Sequence, residues 1–124
     1  MTNCTVFHSW RLCCFFTILF TTTPAIAAES TPPQTDRIIA PGKIHEACLA
    51  LAPGARLSYS FHTDMPLNFN IHYHQGQNVL FPVKKDAVKS DTDVFEAKTR
   101  EDYCMMWSNP SKQPVSVFYR FSVE

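Results

Sequence analysis

Residues 57–74 read Leu57-Ser58-Tyr59-Ser60-Phe61-His62-Thr63-Asp64-Met65-Pro66-Leu67-Asn68-Phe69-Asn70-Ile71-His72-Tyr73-His74. Apolar and polar residues alternate on both sides of Asp64-Met65-Pro66. Successive side chains of a strand point to opposite faces, so this period of two predicts strands with one buried face and one wet face. The break at Asp64-Met65-Pro66 predicts a turn joining two separate strands.

The same pattern extends outward. Val115, Val117, Tyr119, Phe121 and Val123 alternate with polar residues, Phe118 excepted. Shorter strands are expected at 44–51, 78–81, 94–98 and 103–107. Pro53-Gly54, Gln75-Gly76 and the run Asn109-Pro110 to Pro114 separate them. The segment 82–93 carries Lys84, Lys85, Asp86, Lys89, Asp91 and Asp93 and reads as a long exposed loop with room for a helical turn. Seven to eight short strands with regular turns predict an all-β fold, an antiparallel β-sandwich. The expected core is Leu57, Tyr59, Phe61, Phe69, Ile71, Tyr73, Leu80, Phe81, Trp107, Val117, Tyr119 and Phe121.

The N-terminus follows a different logic. Arg11 precedes an apolar run, Leu12 to Phe20, and Ala25-Ile26-Ala27 supplies a small-x-small cleavage site. That run is well short of the roughly 20 residues a membrane-spanning helix needs. Residues 1–27 therefore read as a secretory signal peptide, 28–37 as a flexible, proline-bearing lead-in, and 38–124 as the β-sandwich domain. The expected location is exported, periplasmic or secreted, with no transmembrane helix in the mature chain. Cys4, Cys13 and Cys14 leave with the signal, and Cys48 and Cys104 remain. An even pair in a small exported domain reads as a disulfide.

Eleven basic and eleven acidic residues give zero formal charge, so nothing draws the chain toward nucleic acid. Three glycines leave little material for a phosphate-binding loop. No G-x-S-x-G, H-E-x-x-H or C-x-x-C is present, no catalytic residue is identified and no cofactor is expected. The chain reads as a non-enzyme. The one chemical cluster is histidine. His72 and His74 lie two apart on a strand and share its wet face, where two imidazoles could hold copper or zinc. His62 ends the preceding wet face, but in a simple hairpin it sits more than about 13 Å from His72 along the strand. Any site is then a weak two-histidine one, open to completion by His45 or by Met65, Met105 or Met106.

The stretch from Glu46 to Glu124 resembles a GOLD (Golgi dynamics) domain. The features are Glu46-Ala47-Cys48, Pro53-Gly54 with the Leu57–Phe61 alternation, Leu67-Asn68-Phe69-Asn70-Ile71, Tyr103-x-x-x-Trp107-Ser108-Asn109 and the final strand 115–123. Their order carries the resemblance more than any single motif. The chain departs from the family in having Glu101-Asp102 where a glycine is expected. No membrane helix follows the last strand, so a cargo receptor's sorting role is not implied. Cys48 and Cys104 are each displaced by about two residues, in directions that compensate across an antiparallel pair. The resemblance implies a GOLD-like, jelly-roll-like sandwich acting as an interaction module for a protein or lipid partner. The alternative is a periplasmic metal-binding or metal-delivery protein using His72 and His74.

Overall fold

A computed structural model describes residues 31–124. The expected signal peptide, residues 1–27, lies outside the described residues. Six strands run β1 (Thr35–Ile39), β2 (Ile44–Leu51), β3 (Arg56–Gln75), β4 (Asn78–Glu96), β5 (Glu101–Ser108) and β6 (Val115–Val123), with no helix among the described residues. All pairings are antiparallel.

The long strand β3 organises everything else. On one edge it pairs β4 over its whole length. On the other it pairs β6 through Leu57–Thr63 and β5 through Asn68–His72. β1 extends β6 and β2 extends β5. The sheet therefore has a first lobe, β1-β6-β3-β4, and a second lobe, β2-β5-β3-β4, sharing the β3–β4 hairpin. Tyr59 and Phe69 are ten positions apart, about 33 Å in a straight strand. Their ring centroids are 5.3 Å apart. β3 thus turns back on itself, and the sheet curls into a half-barrel with the core inside.

An aromatic cluster locks the curl. Phe61 meets Phe69 at 4.7 Å and Trp107 at 5.8 Å, and Trp107 meets Tyr119 at 4.6 Å. These contacts join β3, β5 and β6, and each such pair contributes about 0.5–1.5 kcal/mol beyond area burial.

The all-β antiparallel expectation holds, but the strand count differs because expected strands merge. Asp64-Met65-Pro66 is a bend inside β3 rather than a turn between strands. Its polar groups are met in place: Asp64 Oδ1 accepts the Ser116 amide at 2.9 Å, and Thr63 Oγ1 donates to the Met65 carbonyl at 2.6 Å. The expected loop 82–93 is the middle of β4. Along it Val83, Lys85, Val88, Asp91 and Phe95 are half-buried and the residues between them exposed. β4 is an edge strand, where charges stay in water and guard the open edge against pairing with another chain. Register shifts opposite His62/Leu67, Leu67/Phe69 and Ile71/Tyr73 break its period of two, which hides it from a search for alternation.

Leu57, Tyr59, Phe61, Phe69, Ile71, Trp107, Val117 and Tyr119 are buried as expected, while Tyr73, Leu80 and Phe121 are only half-buried. Phe81 is a correction, at 49% exposed. Tyr73 pairs Leu80 and Ile71 pairs Val83, so Phe81-Pro82 holds one residue too many. The resulting bulge accommodates a proline that cannot donate to the ladder, and it turns Phe81 outward. Leu51, Leu67, Tyr103, Met105 and Val115 complete the interior.

β1 begins inside the expected lead-in 28–37, at Thr35. Pairing to β6 fixes it, and Ile39 is buried while Ile38 faces water. Gly42, at φ 68°, then carries the chain across to β2. Asn109 clamps this crossing. Its buried Nδ2 donates to the carbonyls of Ile39 (2.9 Å) and Gln113 (2.7 Å), and its Oδ1 accepts the Ser111 amide at 2.9 Å.

Candidate functional site

Two outward faces carry chemistry, one on each lobe. On the second lobe, β2 and β5 set Cys48 directly opposite Cys104, and the two are bonded. The bridge spans a sequence separation of 56, which corresponds to about 4 kcal/mol of chain-entropy stabilisation. His72 pairs Cys104 on the next strand.

His72 and His74 share this outer face, with ring centroids 5.4 Å apart. His74 is exposed, but His72 is only 5% exposed, under cover unusual for a sheet's wet side. The ring of Phe81 lies 5.7 Å from it. Asn70 Oδ1 sits 2.9 Å from His72 Nδ1, and Glu46 Oε1 sits 3.7 Å from His72 Nε2. Burial holds the His72 imidazole below its ordinary pKa; the Glu46 carboxylate pulls the other way, and His74 pushes it lower.

His62, His45, Met65 and Met105 do not join this pair. His62 belongs to the first lobe, stacked on Phe118 at 4.8 Å. His45 faces inward, its Nε2 at 3.0 Å from the Tyr119 hydroxyl and its ring stacked on Trp107 at 5.7 Å. Burial, then the charge of Arg37, lowers its pKa against the pull of Glu46. Met105 is core and Met65 packs against the core, while half-buried Met106 stands opposite Glu46 and Asn70 on the outer face. Among the described residues one group of three potential donors converges within 4.8 Å, Glu46, Cys48 and Cys104. Its sulfurs are bonded to each other and are not thiolate ligands.

The face that sequence reading passed over is on the first lobe. Three rungs cross it: Ser58 pairs Val94 and Ser122, Ser60 pairs Thr92 and Arg120, and His62 pairs Ser90 and Phe118. A groove of about 500 Å³ lies over the first two rungs, flanked by Pro32 and Asp93. A second of about 300 Å³ continues it toward His62 and shares Ser60, Thr92 and Arg120. Arg120 Nε donates to Ser60 Oγ at 3.0 Å. Among the described residues Arg120 makes no ion pair, while Lys85 pairs Asp91 at 2.6 Å and Asp93 at 3.9 Å. Beneath the groove, the Tyr59 hydroxyl donates to Asp91 Oδ2 at 2.9 Å. The available signal was the polar half of the alternation, Ser58-x-Ser60-x-His62 against Arg120-x-Ser122. It became specific only once three strands stood side by side.

No family model matches the chain, and no curated protein matches it. Among solved structures it is similar to a de novo designed double-stranded β-helix, at 20% identity and a TM-score of 0.45, over 73% of this chain and 99% of the other. It is also similar to Aeromonas hydrophila PliG, a periplasmic lysozyme inhibitor of g-type lysozyme, at 14% identity and a TM-score of 0.48, over 82% and 96%. Likeness this distant carries no argument about function. Among the described residues no helix is long and apolar enough to cross a membrane.

Proposed function

We propose that this protein is an exported, non-catalytic binding module of GOLD-like sandwich type that engages a protein partner through the outer face of its first lobe. The observation that carries this reading is Arg120. Its guanidinium lies in a groove walled by Ser58, Ser60, Thr92 and Ser122, with one edge held by Ser60 and, among the described residues, no acidic residue paired to it. Hydroxyls on a rigid sheet offer both donors and acceptors, and a free guanidinium edge suits a carboxylate presented by a partner. Support for export comes from the N-terminal apolar run with its Ala25-Ile26-Ala27 site, and from a disulfide suited to an oxidising compartment. The order of motifs from Glu46 to Glu124 supports the GOLD-like reading.

Affinity capture from the native exported fraction tests it, with wild type beside Ser60→Trp, Arg120→Glu and His74→Ala. The expected result is a partner retained by wild type and His74→Ala and lost from both groove variants. Equal retention by all four would contradict the assignment. Arg120-dependent binding to anionic vesicles, without a protein partner, would redirect it to lipid. A second reading, metal binding at His72 and His74, is favoured by the approach of His72 Nε2 to Glu46.

A further inference from the structure

We propose that the partner is held by strand addition: an extended acidic segment pairs with the open edge of β6 at Phe121 and Val123 and sets a carboxylate opposite Ser122, within reach of Arg120. The proposal rests on the groove reading above and adds to it a backbone edge, a register and a sequence pattern for the partner.

The edge follows from an accounting of the backbone groups of β6. The amides of Glu124 and Arg56 donate to each other's carbonyls at 3.0 Å, a hydrogen-bonded pair that continues the β3–β6 ladder. Such positions alternate along an antiparallel pair, so Ser122 and Arg120 also turn their backbone groups to β3. Phe121 and Val123 turn theirs to the opposite side. On that side β1 pairs Val115 through Tyr119 and stops. Among the described residues no strand takes the N–H and C=O of Phe121 and Val123.

The sequence explains why β1 stops. The register that sets Thr35 opposite Tyr119 would set Pro33 opposite Phe121. A residue there must donate an N–H to the Phe121 carbonyl, and proline has none. Pro32 lines the groove all the same, so the lead-in lies beside this edge without pairing to it. An incoming strand breaks no ladder of the described residues.

The side chains define the occupant. Phe121 packs against the core, and Val123 is 47% exposed at the end of the strand. Residues of an added strand opposite these two share their face, so apolar side chains there cover Val123. The residue between them stands opposite Ser122 on the groove side. It occupies a non-hydrogen-bonded position, about 4.5 Å from Ser122 between Cα atoms and diagonal to Arg120. Ser60 holds one edge of that guanidinium, and among the described residues no carboxylate pairs with it. The matching segment is therefore extended and reads apolar, acidic, apolar. Strand addition takes affinity from main-chain hydrogen bonds and specificity from alternate side chains.

NMR titration of the isotope-labelled exported protein with the capped synthetic peptide Thr-Thr-Val-Glu-Val-Thr-Thr tests this. The expected result is saturable shifts and slowed hydrogen exchange at the Phe121 and Val123 amides. Methylating both valine nitrogens, which face β6, should weaken the peptide at least about tenfold, while methylating the glutamate nitrogen, which faces away, should not. Glutamine in place of glutamate, or Arg120→Glu in the protein, should weaken it about fivefold or more. Pro33→Thr supplies the missing N–H and lets the chain pair its own lead-in with Phe121. It should slow exchange of the Phe121 amide in the free protein and weaken the peptide, with Ser58, Ser60 and Arg120 untouched. Pro33 is exposed, so this variant folds. If Arg120→Glu weakens the peptide while valine methylation and Pro33→Thr do not, the groove reading stands and strand addition falls. If valine methylation abolishes binding and Arg120→Glu leaves it unchanged, the groove reading falls and the acidic pattern with it. Absence of shifts at Phe121 and Val123 overturns the proposal.

Discussion

Asn109 shows how one side chain can hold a topology. It is 1% exposed, and its amide satisfies two carbonyls and one amide from two segments, the end of β1 and the β5–β6 connection. Asn109→Ala should cost about 1–3 kcal/mol in chemical denaturation, because the buried Ile39 carbonyl loses its donor. Tyr59 gives a pH dependence. Burial, then its hydrogen bond to Asp91, raises its pKa above 10, so the folded protein keeps a proton that the unfolded chain releases. Its contribution is therefore complete below about pH 10 and is lost as the pH rises further. Tyr59→Phe should cost about 1–3 kcal/mol at neutral pH and make the alkaline decline in thermal stability shallower. At this scale the sequence was legible where period two held. His72 was placed on the correct face, but its burial was not, because it depends on Phe81 and a bulge two strand-lengths of logic away.

The element that rewards attention is the β3–β4 hairpin. β3 was readable on both sides of its bend, since Leu57–Phe61 and Leu67–Tyr73 each keep strict alternation. That they form one strand was not readable, because Asp64-Met65-Pro66 has the composition of a turn and its polar groups are met by Thr63 and by Ser116 on β6. β4 was largely illegible. Its charges belong to an edge, and its three register shifts erase the pattern. Near the bend, Ala87 adopts φ 55°, where a Cβ is strained, and its amide donates to Asn68 Oδ1 at 3.0 Å. Ala87→Gly relieves about 1 kcal/mol of strain and loses part of that to a freer unfolded chain, a net gain of about 0.5 kcal/mol. Ala87→Val should instead lose about 1–2 kcal/mol. Urea melts of the two variants check the opposite signs.

At the scale of the molecule, two lobes share one hairpin and one core, and the disulfide ties the β2–β5 pair of the second lobe. The pairing of Cys48 with Cys104 was legible from cysteine count and compartment, and the strand register agrees with it. The double variant Cys48→Ala/Cys104→Ala should lose about 4 kcal/mol, read as a lower denaturation midpoint. The groove was not legible, since its residues come from β3, β4 and β6 and look like an ordinary wet face in each strand alone. The central claim is that this face of the first lobe is where the protein binds. Amide hydrogen exchange, measured with and without the captured partner, tests it most directly. New protection is expected at residues 58–60, 92–94 and 120–122, with the second lobe unchanged. Protection confined to residues 44–48, 70–74 and 104–106 would contradict it.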